Sequence, residues 1–221
     1  MTMTSPHCTE LELLLDEYGK IIFAFQMCPT PLFAEIVKIN HIRILDQNSK
    51  SPVDLMKEGY KALHRLQAFS SEKWAEDKPA SKKDWLLLAD TYHVATELFC
   101  LLSLQSLAIL PRSPMLRTKC NAHTELLQVL LGQAMEALPI KRFLLWPMVV
   151  LGVEAAQGGV LMRSFVREQL PELSQYIGTY VPLMAQDVLE RFWASGKTRW
   201  DDCFDKPYAF ATQIGLDLGA L

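Results

Sequence analysis

Apolar residues recur every three or four positions along most of this chain, the spacing of amphipathic helices rather than of strands. Leu11, Leu14, Leu15, Tyr18, Ile22 and Phe25 share one such face and predict a first helix from Thr9 to about Phe25. Thr9 and Glu12 stand at capping-box spacing before it. Cys28-Pro29-Thr30-Pro31 stops that helix, and Thr30 then caps a second, with Pro31 at its first position. The same pairing of a hydroxyl residue with proline returns at Ser51-Pro52 and Ser113-Pro114. No run alternates apolar and polar residues between turn signals. The pattern predicts an all-α protein, an irregular bundle of about eight to ten helices forming one domain over residues 1–221.

The remaining elements follow in order. A helix runs from Pro52 to about Phe69, and the polar string SSEKWAEDKPASKK after it reads as an exposed loop open to proteolysis. Ser81 and Asp84 resemble another capping box, opening a long helix from Asp84 to Leu110. From Leu98 onward this helix is apolar nearly all round and must be buried on several sides, while Asp90, His93, Glu97 and Gln105 argue against a membrane span. A helix from Pro114 to about Ala137 is ended by Pro139. The stretch LLWPMVVLGVEA, Leu144 to Ala155, is the most apolar of all and is expected at the centre of the bundle. Pro147 opens or kinks it, Gly152 admits a close neighbour, and Glu154 requires a partner, either Arg163 or another base, or a helix end that its carboxylate reaches. Gly158-Gly159 loosens or breaks the chain before a helix from Val160 to Leu170, with turns at Pro171 and Gly178. A helix from Tyr180 to Ser195 stops at Gly196, and a short one is expected near Tyr208 to Leu218.

Composition narrows the function classes. Half the residues are hydrophobic and the net charge is −3, which predicts no general affinity for nucleic acid or an anionic membrane. Cys8, Cys28, Cys100, Cys120 and Cys203 are scattered, without C-x-x-C or zinc-ligand spacing, and read as reduced, inert thiols. The start MTMTSPHCTE has no basic region followed by an apolar one, so no secretory signal is expected, and an intracellular location, nuclear or cytoplasmic, follows.

The Trp146-Pro147 stretch, with Gly152 and Glu154-Ala155, resembles the W-P-x-x-x-x-G-x-E-A block of the fungal-specific transcription factor domain, the C-terminal regulatory domain of fungal zinc-cluster transcription factors. CPTPLFAEIVKI (Cys28 to Ile39) resembles that family's C-P-x-x-L-F-x-x-I-x-x-I helix, and YHVATELF (Tyr92 to Phe99) its Y-x-x-A helix. RSFVREQL, VLERFW (Val188 to Trp193) and Trp200 resemble its closing part. The resemblance spans roughly Leu14 to Trp200. It implies an all-helical domain that regulates transcription through protein partners of the transcription machinery and, in some members, responds to a small molecule. The family's C-x2-C-x6-C array and basic region are not found in these 221 residues, so direct DNA contact by them is not expected.

Candidate chemistry is sparse. His93 and Glu97 stand four apart on one helical face, a spacing suited to a hydrogen-bonded pair, an acid–base pair or two metal ligands, but a third ligand at recognisable spacing is missing. His41, His64 and His123 read as surface or capping residues. Asp201, Asp202 and Asp205 form an acid cluster more suited to solvation or pairing than to magnesium. No metal and no cofactor is therefore expected. Trp146, Met148, Met162, Met184 and Trp193, with Phe165 and Phe192, read first as core. Their functional reading is the wall of an apolar cavity for a hydrophobic small molecule, set between the long helix, the Trp-Pro helix and the helix Tyr180–Ser195.

Two functions fit. One is a regulatory domain that binds a ligand or a protein. The other is a free-standing domain reused in secondary metabolism as a cofactor-independent cyclase or isomerase, with His93, Glu97 and Glu154 as its catalytic groups and substrate positioning as its main device. Oligomeric state is left open. The acidic balance and the missing basic array generate a direct expectation. The 221-residue chain gives no sequence-selective, salt-sensitive shift of duplex DNA at sub-micromolar protein; such a shift would contradict it.

Overall fold

The computed structural model describes residues 28–44, 51–76, 78 and 81–205. The expected helices at Thr9–Phe25 and Tyr208–Leu218, and Cys8, lie outside the described residues. Among the described residues there are ten helices and no strand. They are α1 (Thr30–Ile44), α2 (Pro52–Gln67), α3 (Ser71–Glu76), α4 (Lys82–Ser106) and α5 (Pro114–Glu136). Then follow α6 (Leu138–Lys141), α7 (Leu145–Gly158), α8 (Val160–Ile177), α9 (Val181–Ala194) and α10 (Trp200–Cys203). The fold class is the one that the hydrophobic spacing predicts.

The hydroxyl–proline starts work as expected. The Ser51 hydroxyl accepts from the Asp54 N–H at 3.2 Å and the Ser113 hydroxyl accepts from the Leu116 N–H at 3.3 Å, with proline just inside each helix. Thr30 instead lies within the first turn of α1, and the Phe33 N–H bonds the Pro29 carbonyl. The Ser81–Asp84 capping box does not form. The Ser81 hydroxyl donates to the Asp84 carboxylate at 2.5 Å, and the backbone receives no side-chain cap there.

Three of the differences from the sequence pattern have a tertiary reason. The polar string after α2 contains a helix, α3, whose Ser71 and Ala75 are buried against α4. Trp74 meets Trp85 edge-on at 6.2 Å, so an aromatic pair orders what composition marks as loop. The long helix ends at Ser106, not Leu110. Ala108 takes a left-handed conformation (φ 57°), and the Leu104 carbonyl accepts from both Ile109 and Leu110. That turn buries Ile109 and Leu110, which offsets the strain of a non-glycine residue in this region. Finally, α8 runs through Pro171 to Gly178, whose φ of 75° closes it. The carbonyl left without a helical donor belongs to Arg167, on the exposed side, while Leu170 and Leu173 on the inner side keep the helix seated.

Helix α4 is the hub. It packs on α1, α2 and α3, on α5 and α6, and on α7 and α10. From Leu88 to Leu104 almost every residue is buried except Asp90 and His93. Helix α4 is also the one described helix long and apolar enough to cross a membrane, but 72% of its apolar window is buried against the bundle. The Trp-Pro helix α7 is the second central element, covered by α4, α5, α8 and α9. Pro147 opens α7 instead of kinking it, since its place in the first turn needs no N–H. Gly152 is there for proximity: a Cβ at this position would lie 2.4 Å from the Leu189 Cδ1 of α9. Its carbonyl accepts from the Trp193 indole at 2.9 Å, which locks α9 onto α7.

Trp146 joins α7 to α4. Its ring stacks on Tyr92 at 5.9 Å and meets Phe99 edge-on at 5.7 Å, and Phe99 in turn meets Trp200 at 4.9 Å. The residue is 2% exposed. Trp146→Ala is expected to remove about 3–5 kcal/mol of stability, read as a lower midpoint in urea denaturation; a midpoint near wild type would show that this aromatic chain is not central.

Candidate functional site

The charged groups singled out by sequence occupy two places, both served by α5. On the outer side of α4, a cleft of about 320 Å³ is lined by Asp90, His93, Val94 and Glu97 from α4 and by His123, Leu126 and Leu130 from α5. Glu97 is 5% exposed at its base. Three basic groups converge on it: His123 Nε2 at 2.5 Å, Lys119 Nζ at 3.4 Å and His93 Nε2 at 3.9 Å. Burial alone would raise the Glu97 carboxyl, but the hydrogen bond from His123 and the charges of Lys119, His123 and His93 outweigh it and hold the carboxyl below its ordinary range. Glu97 therefore stays ionised and acts as an acceptor for α5.

His93 and Glu97 do share a face, as their spacing predicts, but 3.9 Å is too long for a hydrogen bond between them. The His93 ring has another partner. Its Nε2 lies 2.8 Å from the Leu66 carbonyl, which only accepts, so Nε2 carries the proton and donates. This bond is a second one to a last-turn carbonyl of α2 that already accepts from the Phe69 N–H at 3.0 Å, and Phe69 packs edge-on against the ring at 5.3 Å. His93 thus ties α2 to α4. His123 is not the surface or capping residue that sequence suggests, since its side chain pairs with Glu97 across the helix interface. The signal available was Lys119 and His123 four apart on α5, a basic pair matching an acid on α4. Sequence does not say which helices meet, so that match was out of reach.

Glu154 does not line this cleft. It is 1% exposed and its base is Arg117 of α5, with Nη2 2.7 Å from Oε1. Burial pushes the Glu154 carboxyl above its ordinary value, and the Arg117 charge opposes that. Arg163, the base named first from sequence, instead donates to the Ala155 and Ala156 carbonyls at 3.0 and 2.8 Å, capping the end of α7.

The expected apolar wall is distributed through the core. Trp146, Met148, Met162 and Trp193 are buried, while Met184 is 48% exposed. None of the five lines the cleft beside His93, which lies between α4 and α5, not at the junction of α4, α7 and α9. Burial raises the thiols of Cys28, Cys100, Cys120 and Cys203, the last two to about 11 and about 12, so they are poor nucleophiles. Asp201 pairs with Arg43 at 2.5 Å and Asp202 with Lys197 at 3.7 Å. Among the described residues, no group of three or more His, Cys, Asp or Glu is arranged to hold a metal ion.

Comparison with known proteins now decides the family. The model of the fungal specific transcription factor domain matches residues 25–211. The chain belongs to that family. It is 43% identical over 217 residues to a phomenoic acid biosynthesis cluster-specific transcriptional regulator of Leptosphaeria maculans. The match covers 97% of this chain and 42% of that relative, so the chain spans less than half the relative's length. No solved structure matches. In this fungal transcription factor domain, the W-P-x-x-x-x-G-x-E-A block has a physical account. Trp146 stacks between α7 and α4, Pro147 opens α7, Gly152 admits α9, and Glu154 anchors α5.

The lowered Glu97 carboxyl gives a pH prediction. A carboxyl held below its ordinary value of 4.5 stabilises the fold above that value, and the contribution is lost as pH falls through the folded value. Glu97→Gln is therefore expected to be less stable than wild type near neutrality and to lose less stability on acidification. Urea denaturation of both proteins at about pH 6 and about pH 3.5 checks this; parallel losses would show that the cluster does not hold Glu97 ionised.

Proposed function

We propose that this chain is the regulatory domain of a transcription regulator controlling a biosynthetic gene cluster. The observation that carries the reading is the 43% identity, over 97% of the chain, to a regulator named for such a cluster. The family match over residues 25–211 supports it. The domain works inside the cell, in the nucleus, by binding rather than by turnover. Its partners are proteins of the transcription machinery and a small molecule, while DNA contact falls to other parts of the regulator.

The polar residues support a binding role. Glu97, His93 and Glu154 are each engaged in holding one helix to another. A domain pinned by few buried polar contacts is suited to passing a ligand's or partner's binding energy between helices. Disrupting the gene in its host and measuring transcripts of neighbouring biosynthetic genes tests the reading. The transcripts are expected to collapse and to return with the intact gene. Unchanged transcripts would overturn the proposed role.

A further inference from the structure

Where the chain turns from α4 into α5, a second cleft of about 270 Å³ opens. Three arginines line it: Arg112 from the connecting loop, Arg117 near the start of α5, and Arg199 just before α10. No acidic residue belongs to this lining, and Leu102 and Pro114 give it an apolar wall. Glu154 offsets the charge of Arg117 from behind, so the positive charge left facing the cleft comes from Arg112 and Arg199, which an anion between them would offset.

Two of the arginines are placed from behind. Arg117 rests on the buried Glu154 at 2.7 Å. Arg199 Nη2 donates to the Ser106 carbonyl at the end of α4. The loop carrying Arg112 is held by Gln105, whose amide donates to the Pro111 carbonyl at 3.1 Å. A guanidinium has five N–H donors, and these contacts occupy few of them. The N-terminus of α5, a helix of 23 residues, opens beside the arginines and adds its positive end.

We propose that this cleft binds a small organic acid, its carboxylate held by Arg112, Arg117 and Arg199 and a short apolar body resting on Leu102 and Pro114. The volume is just below the usual range for drug-sized ligands, so the acid has about ten heavy atoms or fewer. The inference goes beyond the regulatory reading, since the cleft binds such an anion whatever the domain controls. Occupancy would bridge α4, α5 and α10, and through Arg117 and Glu154 it reaches α7.

Isothermal titration of the full 221-residue chain with hexanoate, hexanamide and inorganic phosphate tests the proposal. Hexanoate is expected to bind saturably, at a Kd in the millimolar range or tighter, and to weaken with added salt. Hexanamide, of the same shape without the charge, is expected not to bind. Arg112→Gln changes an exposed side chain and is expected to leave the melting temperature unchanged while weakening hexanoate about tenfold. The pair Arg117→Gln with Glu154→Gln removes a second donor without leaving a buried carboxylate unpaired, and it should weaken binding further. Absence of saturable hexanoate binding, or equal binding to wild type and Arg112→Gln, would overturn the site. Equal affinity for phosphate and hexanoate would overturn the organic-acid assignment.

Discussion

Helix α4 has too few polar residues to face water on any side along its second half, and that single constraint organises the bundle. Between Leu98 and Leu104 every residue is buried, so helices must cover the full circumference. Helices α1 to α3 and α5, α6, α7 and α10 all rest on it. Its end also needs foreign help. With no basic residue in its own last turn, α4 takes Arg43 on the Ser103 carbonyl and Arg199 on the Ser106 carbonyl. Two distant segments are thereby fixed at one place.

The few buried charges in this apolar setting share one arrangement. Each has a base or acid on another element: Glu97 with Lys119 and His123, Glu154 with Arg117, Glu35 with Arg65, Lys141 with Glu172. A buried ion pair adds little net stability over a well-packed apolar contact, but removing one member is costly. Such pairs therefore act mainly on register, fixing which helix meets which and at what height. The aromatic chain Tyr92–Trp146–Phe99–Trp200 supplies the apolar counterpart, joining α4, α7 and α10.

Much of this was legible along the chain because its causes are local. Ser51-Pro52 and Ser113-Pro114 start helices through bonds that span three residues, and apolar spacing marks which faces are buried. The need of Glu154 for a partner was equally plain, because burial of a carboxylate has the same price in any fold. The identity of that partner was not, since Arg117 lies 37 positions away on a helix whose packing no local signal describes.

Local pattern alone thus determined the helical class, most helix starts and the family motif around Trp146. Tertiary structure decided what depends on a neighbour. It ordered α3 through the Trp74–Trp85 contact, ended α4 early so that Ile109 and Leu110 could turn inward, and carried α8 through Pro171. It also gave His93 to the Leu66 carbonyl and Glu97 to His123. Helix propensity and capping are energies of adjacent residues and can be read in order, whereas a hydrogen bond or ion pair between helices exists only once the core has set their distance and angle.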